Sequence, residues 1–261
     1  NGTAGTVLNF TTVTNLTITA NTATINVIAS AADFDEGSLN WQGASINITG
    51  SSGVVMRGTS TWLNLTRTSS SPGVDDALSL AGNKTITGTF TLKGSSTKFR
   101  MRLASNQSQS LASTRTITAA NIDFEYVNLI DIAAAGAANW DISAITGLSG
   151  DGGGNSGITF TPAVTQYWFG TTGNWTDASK WFLGTGGTGG AGRVPLIQDT
   201  AIFDANSFVA TGNTVTVDFA NIGPTNWTGS LPGQTFTWSQ NMRCYGSMNL
   251  TTNTTLPSAF G

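Results

Sequence analysis

Residues 77–103 read Ala-Leu-Ser-Leu-Ala-Gly-Asn-Lys-Thr-Ile-Thr-Gly-Thr-Phe-Thr-Leu-Lys-Gly-Ser-Ser-Thr-Lys-Phe-Arg-Met-Arg-Leu. Leu78 and Leu80 alternate with small residues and stop at Gly82. Ile86 stops at Gly88, Phe90 and Leu92 stop at Gly94, and Phe99, Met101 and Leu103 alternate with Arg. Period-two patterning in short runs closed by turn residues predicts strands that bury one face and wet the other. The runs are too close together for crossover helices. A coiling chain, in which each short strand stacks on the strand of the next turn, satisfies both constraints. The expected fold is therefore all-β, a parallel β-helix or β-solenoid with short, irregular rungs, with room for two β modules on one axis.

Outward from this stretch the pattern persists. Val7, Leu8, Phe10, Val13, Leu16, Ile18, Ile25 and Val27 are spaced by Thr and Asn. Residues 31–36 read as an acidic connector. Leu39–Gly43 is echoed by Ile46–Gly50, and Val54–Met56 and Trp62–Leu65 continue the series. Thr68–Asp76, with Pro72 and Gly73, reads as a loop. Ile117–Ile132 has the densest apolar content and is expected to be core strand. Residues 133–138 read as a loop. Thr161–Gln166, with Pro162, is the linker candidate. Trp residues then become frequent, which sets a boundary near residue 165: 1–165 a β-solenoid module, 166–261 a Trp/Gly-rich β module.

Composition narrows the function. The chain of 261 residues is 39% hydrophobic and 10% charged, too apolar for disorder. Its net charge of −3, without a basic block, argues against nucleic-acid binding. There is no His, which removes the commonest general base and transition-metal ligand. Cys244 is the only cysteine, so no intramolecular disulfide forms; it reads as a buried residue beside Met242. Low charge, little Cys and abundant Thr and Asn suit an exported protein. No apolar run reaches membrane-span length. The chain starts at Asn1 without an initiator Met, so a leader was removed or this is a piece of a longer chain. Strand patterning begins at Gly5 and runs to Leu250, with no charge before Asp33 or after Arg243. Both ends therefore read as uncapped strand edges.

Two stretches carry a resemblance. Phe124-Glu-Tyr-Val-Asn-Leu-Ile-Asp131, Ala134-Ala-Gly-Ala137 and Asp151-Gly-Gly-Gly-Asn-Ser-Gly-Ile-Thr-Phe160 resemble the closing rungs of repetitive right-handed parallel β-helix surface proteins of environmental bacteria and phages. Tyr167-Trp-Phe-Gly-Thr-Thr-Gly-Asn-Trp-Thr-Asp-Ala-Ser-Lys-Trp181, with Val194-Pro195 and Asp199–Phe208, resembles the opening module of the same proteins. These include autotransporter-like adhesins and phage tail-fibre or spike components. The resemblance implies a structural or adhesive role at a cell or virion surface, and no catalytic residues.

Each candidate site has a plainer structural reading. Asp151-Gly-Gly-Gly-Asn155 offers oxygens for Ca²⁺, but a single copy reads better as a tight turn needing positive φ. Asp199, Asp204 and Asn206 could meet at a cation; capping of turns is the commoner use. Asp123 and Glu125 share a strand face about 7 Å apart, a spacing that suits glycosidase carboxylates or simply a solvated face. Asp75 and Asp76 read as solubilising, and Lys98, Arg100 and Arg102 as a basic strand face. Trp175 and Trp181 read as core or loop anchors rather than sugar platforms. Asn-X-Thr/Ser sequons such as Asn9, Asn15, Asn47, Asn64, Asn83, Asn174, Asn226 and Asn249 are frequent enough to arise by chance. No cofactor, metal or catalytic set is expected. The expected function is a non-enzymatic structural or adhesive subunit, extracellular or surface-borne, whose partners are other copies of itself and cell-surface glycans. A phage fibre module and a β-helix lyase or hydrolase are the alternatives.

Overall fold

The computed structural model describes residues 6–9, 22–28, 32–37, 40–49, 53–69, 76–106, 114–229, 231–239, 241–250 and 254–256. Phe10, Val13, Leu16, Ile18, Leu39 and Asp75 lie outside them. The chain divides into two compact units, Asn1–Thr161 and Pro162–Gly261. The division falls within the expected linker.

The strands of the first unit are β1 (Thr6–Asn9), β2 (Thr24–Ile28), β3 (Ala32–Asp35), β4 (Asn40–Thr49), β5 (Val54–Met56), β6 (Ser60–Thr68), β7 (Ala77–Leu80), β8 (Lys84–Lys93), β9 (Met101–Ser105), β10 (Arg115–Glu125), β11 (Val127–Ile130), β12 (Ile132–Ala135) and β13 (Ser149–Asp151). Odd-numbered strands form one sheet and even-numbered strands the other, each in chain order. Every pairing is parallel. Inward residues therefore align in columns. Val54, Leu78, Leu103 and Leu129 form one, and Phe34, Met56 and Leu80 another. On the second sheet Ile46, Leu65 and Phe90 line up, as do Trp41, Trp62 and Ile86. All are buried in one core, where the Trp41 and Trp62 rings stack 5.0 Å apart.

The even-numbered strands are longer than the runs expected from sequence. Gly88 does not end a strand; β8 passes through it for ten residues. Likewise Leu39–Gly43 and Ile46–Gly50 are not two strands, since β4 spans both Trp41 and Ile48. The cause is a bend with a shift in pairing register, between Trp62 and Leu65 in β6 and between Ala119 and Asn121 in β10. Asn64 occupies the bend of β6. Its Oδ1 accepts from the Thr89 N–H at 2.9 Å and its Nδ2 donates to Ser45 Oγ at 3.0 Å. A Cβ on Gly88 would stand 2.5 Å from Asn64 Oδ1, so Gly88 admits this amide rather than making a turn.

Three further expectations are corrected. The acidic connector expected at residues 31–36 is mostly strand: β3 occupies Ala32–Asp35, and Phe34, Asp35 and Glu36 are buried. Ile117–Ile132 is not one strand but parts of three, separated by Tyr126 at φ +48° and Asp131 at φ +55°. These single left-handed residues turn the chain from sheet to sheet without a loop. Residues 133–138 begin as strand, to Ala135.

Gly37, Gly58 and Gly82 occupy equivalent corners, after β3, β5 and β7. A Cβ on Gly58 would lie 1.5 Å from the Gly37 carbonyl oxygen, and one on Gly82 2.4 Å from that of Gly58. Backbone stacks on backbone here. Gly58→Ala is expected to destabilise the unit by about 1–3 kcal/mol through overpacking, read as a lowered urea midpoint. An unchanged midpoint would show that the corner can open at no cost.

The second unit holds β14 (Thr165–Trp168), β15 (Gly173–Asn174), β16 (Trp181–Phe182), β17 (Thr200–Phe203), β18 (Thr214–Val217), β19 (Asn221–Ile222), β20 (Thr225–Trp227), β21 (Gln234–Trp238), β22 (Arg243–Cys244), β23 (Met248–Leu250) and β24 (Thr254–Thr255). They form sheets β16-β14-β17-β20-β23, β15-β18-β21-β24 and β19-β22. Pairing is parallel except between β14 and β16. Helical structure among the described residues is limited to two single 3₁₀ turns, Ala178–Lys180 and Thr185–Gly187. Trp168, Trp175, Trp181, Phe203, Trp227 and Phe236 fill the core. Phe203 and Trp227, register neighbours on β17 and β20, stack at 4.3 Å. The aromatic enrichment of this region is thus packing.

Candidate functional site

The acidic candidates are engaged by neighbouring groups. Lys93, next to Thr68 and Glu125 in register, reaches Asp123 at 2.9 Å and Glu125 at 2.8 Å. These carboxylates lift the Lys93 pKa, hydrogen bonding from Glu125 first. Asp123 and Glu125 share a face, and the Lys93 ammonium bridges them.

At the glycine loop, Asp151 Oδ1 accepts from the Gly153 N–H at 2.9 Å and from Asn155 Nδ2 at 2.7 Å. Asn155 also donates to the Leu129 carbonyl and accepts from the Ile132 N–H. With Gly153 at φ +91° and Gly154 at φ +70°, the segment is a turn stitched to β11 and β12. Asp199 and Asp204 stand at opposite ends of β17 and serve different purposes. Asp199 is fully buried, pairs with Arg193 at 2.7 Å, and accepts from the Val164 and Leu196 N–H groups. Asp204 accepts from Thr185 Oγ1 at 2.6 Å and from the Asn206 N–H. Among the described residues no three His, Cys, Asp or Glu side chains gather where they could hold a metal ion.

Two residues that the sequence reading treated as surface charge, Asp76 and Arg100, are inside. Asp76 is not solubilising: it is 1% exposed and pairs with Arg67, 0% exposed, at 3.0 Å. Arg67 stands in an apolar column between Ile48 and Leu92. Desolvation holds the Asp76 carboxyl above its ordinary pKa and the guanidinium below its own. Arg100 is not on a basic strand face, because β9 begins after it. Buried, it donates to Asn128 Oδ1 and to the carbonyls of Val127, Gly147 and Leu148, all within 2.8 Å. Lys98 instead lies over the Phe99 ring at 5.6 Å, and Arg102 is half-buried. Glu36 and Lys84 form a second fully buried ion pair, at 2.5 Å. Their only sequence signal is period two: Lys84 and Arg67 fall on the inward phase of their strands.

Trp175 and Trp181 are fully buried, and Trp181 Nε1 donates to the Trp175 carbonyl at 2.7 Å. Cys244 is half-buried against the second core, its thiol pKa raised by burial. Several sequon asparagines are tied into ladders: Asn47 donates to Asn26, and Asn249 to Asn226. No helix among the described residues is long and apolar enough to cross a membrane. The chain matches no protein-family model, no curated protein and no solved structure.

Proposed function

We propose that this chain is a β-solenoid structural or adhesive subunit, extracellular or surface-borne, that associates end to end with its own copies. One observation carries the reading. The strands of residues 1–161 enter two parallel sheets alternately and in chain order, each paired with the strand two places on. A coil of stacked turns produces that order, whereas βαβ crossovers need helices that the described residues lack. Such stacking leaves strand edges. Among the described residues β1 and β2 each pair on one side only, and Ile28 on β2 is 81% exposed. Parallel edges joined head to tail do not close, so they propagate a fibre. The outward Thr and Asn ladders are the surface on which neutral glycans would be held.

Sedimentation and electron microscopy of the purified chain test this. Fibres with an axial repeat near one subunit length are expected, abolished by removing residues 1–18. A discrete trimer would favour the phage-fibre alternative, and a monomer at high concentration would overturn end-to-end association. Glycan turnover lost in Asp123→Asn or Glu125→Gln would replace the reading with a hydrolase or lyase.

A further inference from the structure

Glu36 follows β3, and Lys84 opens β8. Between them in space lies the corner that leads into β6, with Ser60 beside Lys84 in register. The two ionisable side chains are 0% and 1% exposed, and Lys84 Nζ is 2.5 Å from Glu36 Oε1. Since Oε1 is bonded to Cδ, the amine is within reach of the carboxyl carbon. Ser60 Oγ donates to the same Oε1 at 2.8 Å and is itself held by Trp62 Nε1 at 3.0 Å. Lys84 Nζ also donates to the Gly58 carbonyl. Glu36 Oε2, by contrast, is buried with no hydrogen-bond partner.

This is a poor arrangement for a permanent ion pair. A buried carboxylate needs both oxygens served, and leaving one unserved forfeits its solvation without replacement. Proton transfer from ammonium to carboxylate removes both charges and leaves an amine facing a carboxylic acid. Desolvation favours this direction, and it lowers the Lys84 pKa.

We infer that Glu36 and Lys84 condense, once the unit has folded, into an intramolecular isopeptide bond. In the neutral pair Nζ attacks Cδ while Ser60 Oγ–H stabilises the charge developing on Oε1. The Cδ–Oε2 bond breaks. Oε2 leaves as water, carrying its own proton and one from Nζ. The amide nitrogen keeps one hydrogen, directed at the Gly58 carbonyl, and Oε1 keeps the Ser60 bond. The oxygen expelled is the one with no partner, so condensation relieves the unsatisfied group. No oxidant or second reactant enters. The bond ties the corner after β3 to the start of β8 and closes a loop through β4–β7, a covalent brace in a chain whose single cysteine allows no internal disulfide.

Intact mass of the purified full chain, measured in denaturant, tests the inference. The parent should be one water lighter than its sequence, and its proteolytic digest should contain a branched peptide joining the segments of Glu36 and Lys84. Glu36→Ala and Lys84→Met should each carry the full mass. An amine-labelling reagent in denaturant should miss Lys84 in the parent only. A natively folded parent of full mass with Lys84 labelled overturns the inference, as does a water loss that maps to a cyclic imide elsewhere.

Discussion

Phe90→Asp is expected to abolish cooperative folding of the Asn1–Thr161 unit. Phe90 is 1% exposed, stands in the column with Ile46 and Leu65, and meets the Phe124 ring edge-on at 5.1 Å. Removing the ring alone costs about 3–5 kcal/mol. The substitution also places a carboxylate among apolar side chains with no cation in the column, which adds several kcal/mol or forces protonation. The sum exceeds about 5 kcal/mol, comparable with the whole stability of a typical domain. Leu80→Asp, in the column of Phe34 and Met56, should behave alike. Far-ultraviolet ellipticity followed against temperature checks both. A variant that melts with the parent would mean these columns do not form the core.

The second large effect falls on the Arg67–Asp76 pair. Arg67→Met keeps roughly the length of the side chain and fits its apolar neighbours Ile48 and Leu92. It also strands Asp76, 1% exposed, without its cation. Breaking one side of a buried pair costs about 3–5 kcal/mol. The double variant Arg67→Met/Asp76→Leu removes both charges and should recover most of that loss. A double-mutant cycle from urea titrations therefore gives a large coupling, and simple additivity would show that the pair does not interact as placed. The pH dependence has a sign. Burial raises the Asp76 pKa above its ordinary 3.8, so the folded state holds this proton longer than the unfolded chain. Its titration lowers stability as pH rises from 3.8 through the folded value, and the double variant should lose that component.

Both effects separate what the chain states locally from what it states only when coiled. Alternation of apolar residues with Thr and Asn is a property of two or three neighbouring residues. It specified strands, their inward faces and the parallel all-β class, and it placed Leu78, Leu80, Ile86, Phe90 and Leu92 together in one core. The plain readings of Asp151–Asn155 as a turn and of Trp175 and Trp181 as anchors followed from the same local chemistry. The tertiary structure decided which charges are inside. Arg67, Asp76, Glu36, Lys84 and Arg100 look like surface residues in a linear chain, because each partner lies a loop or a whole turn away. Likewise Gly82 ends a strand while Gly88 bends one, a difference set by the side chain of Asn64 on the neighbouring strand. Composition and spacing describe a residue's own preference. Burial of a charge, or tolerance of a bend, depends on a neighbour that only folding delivers: Asp76 across a loop for Arg67, and Glu36 and Asn64 from earlier turns for Lys84 and Gly88.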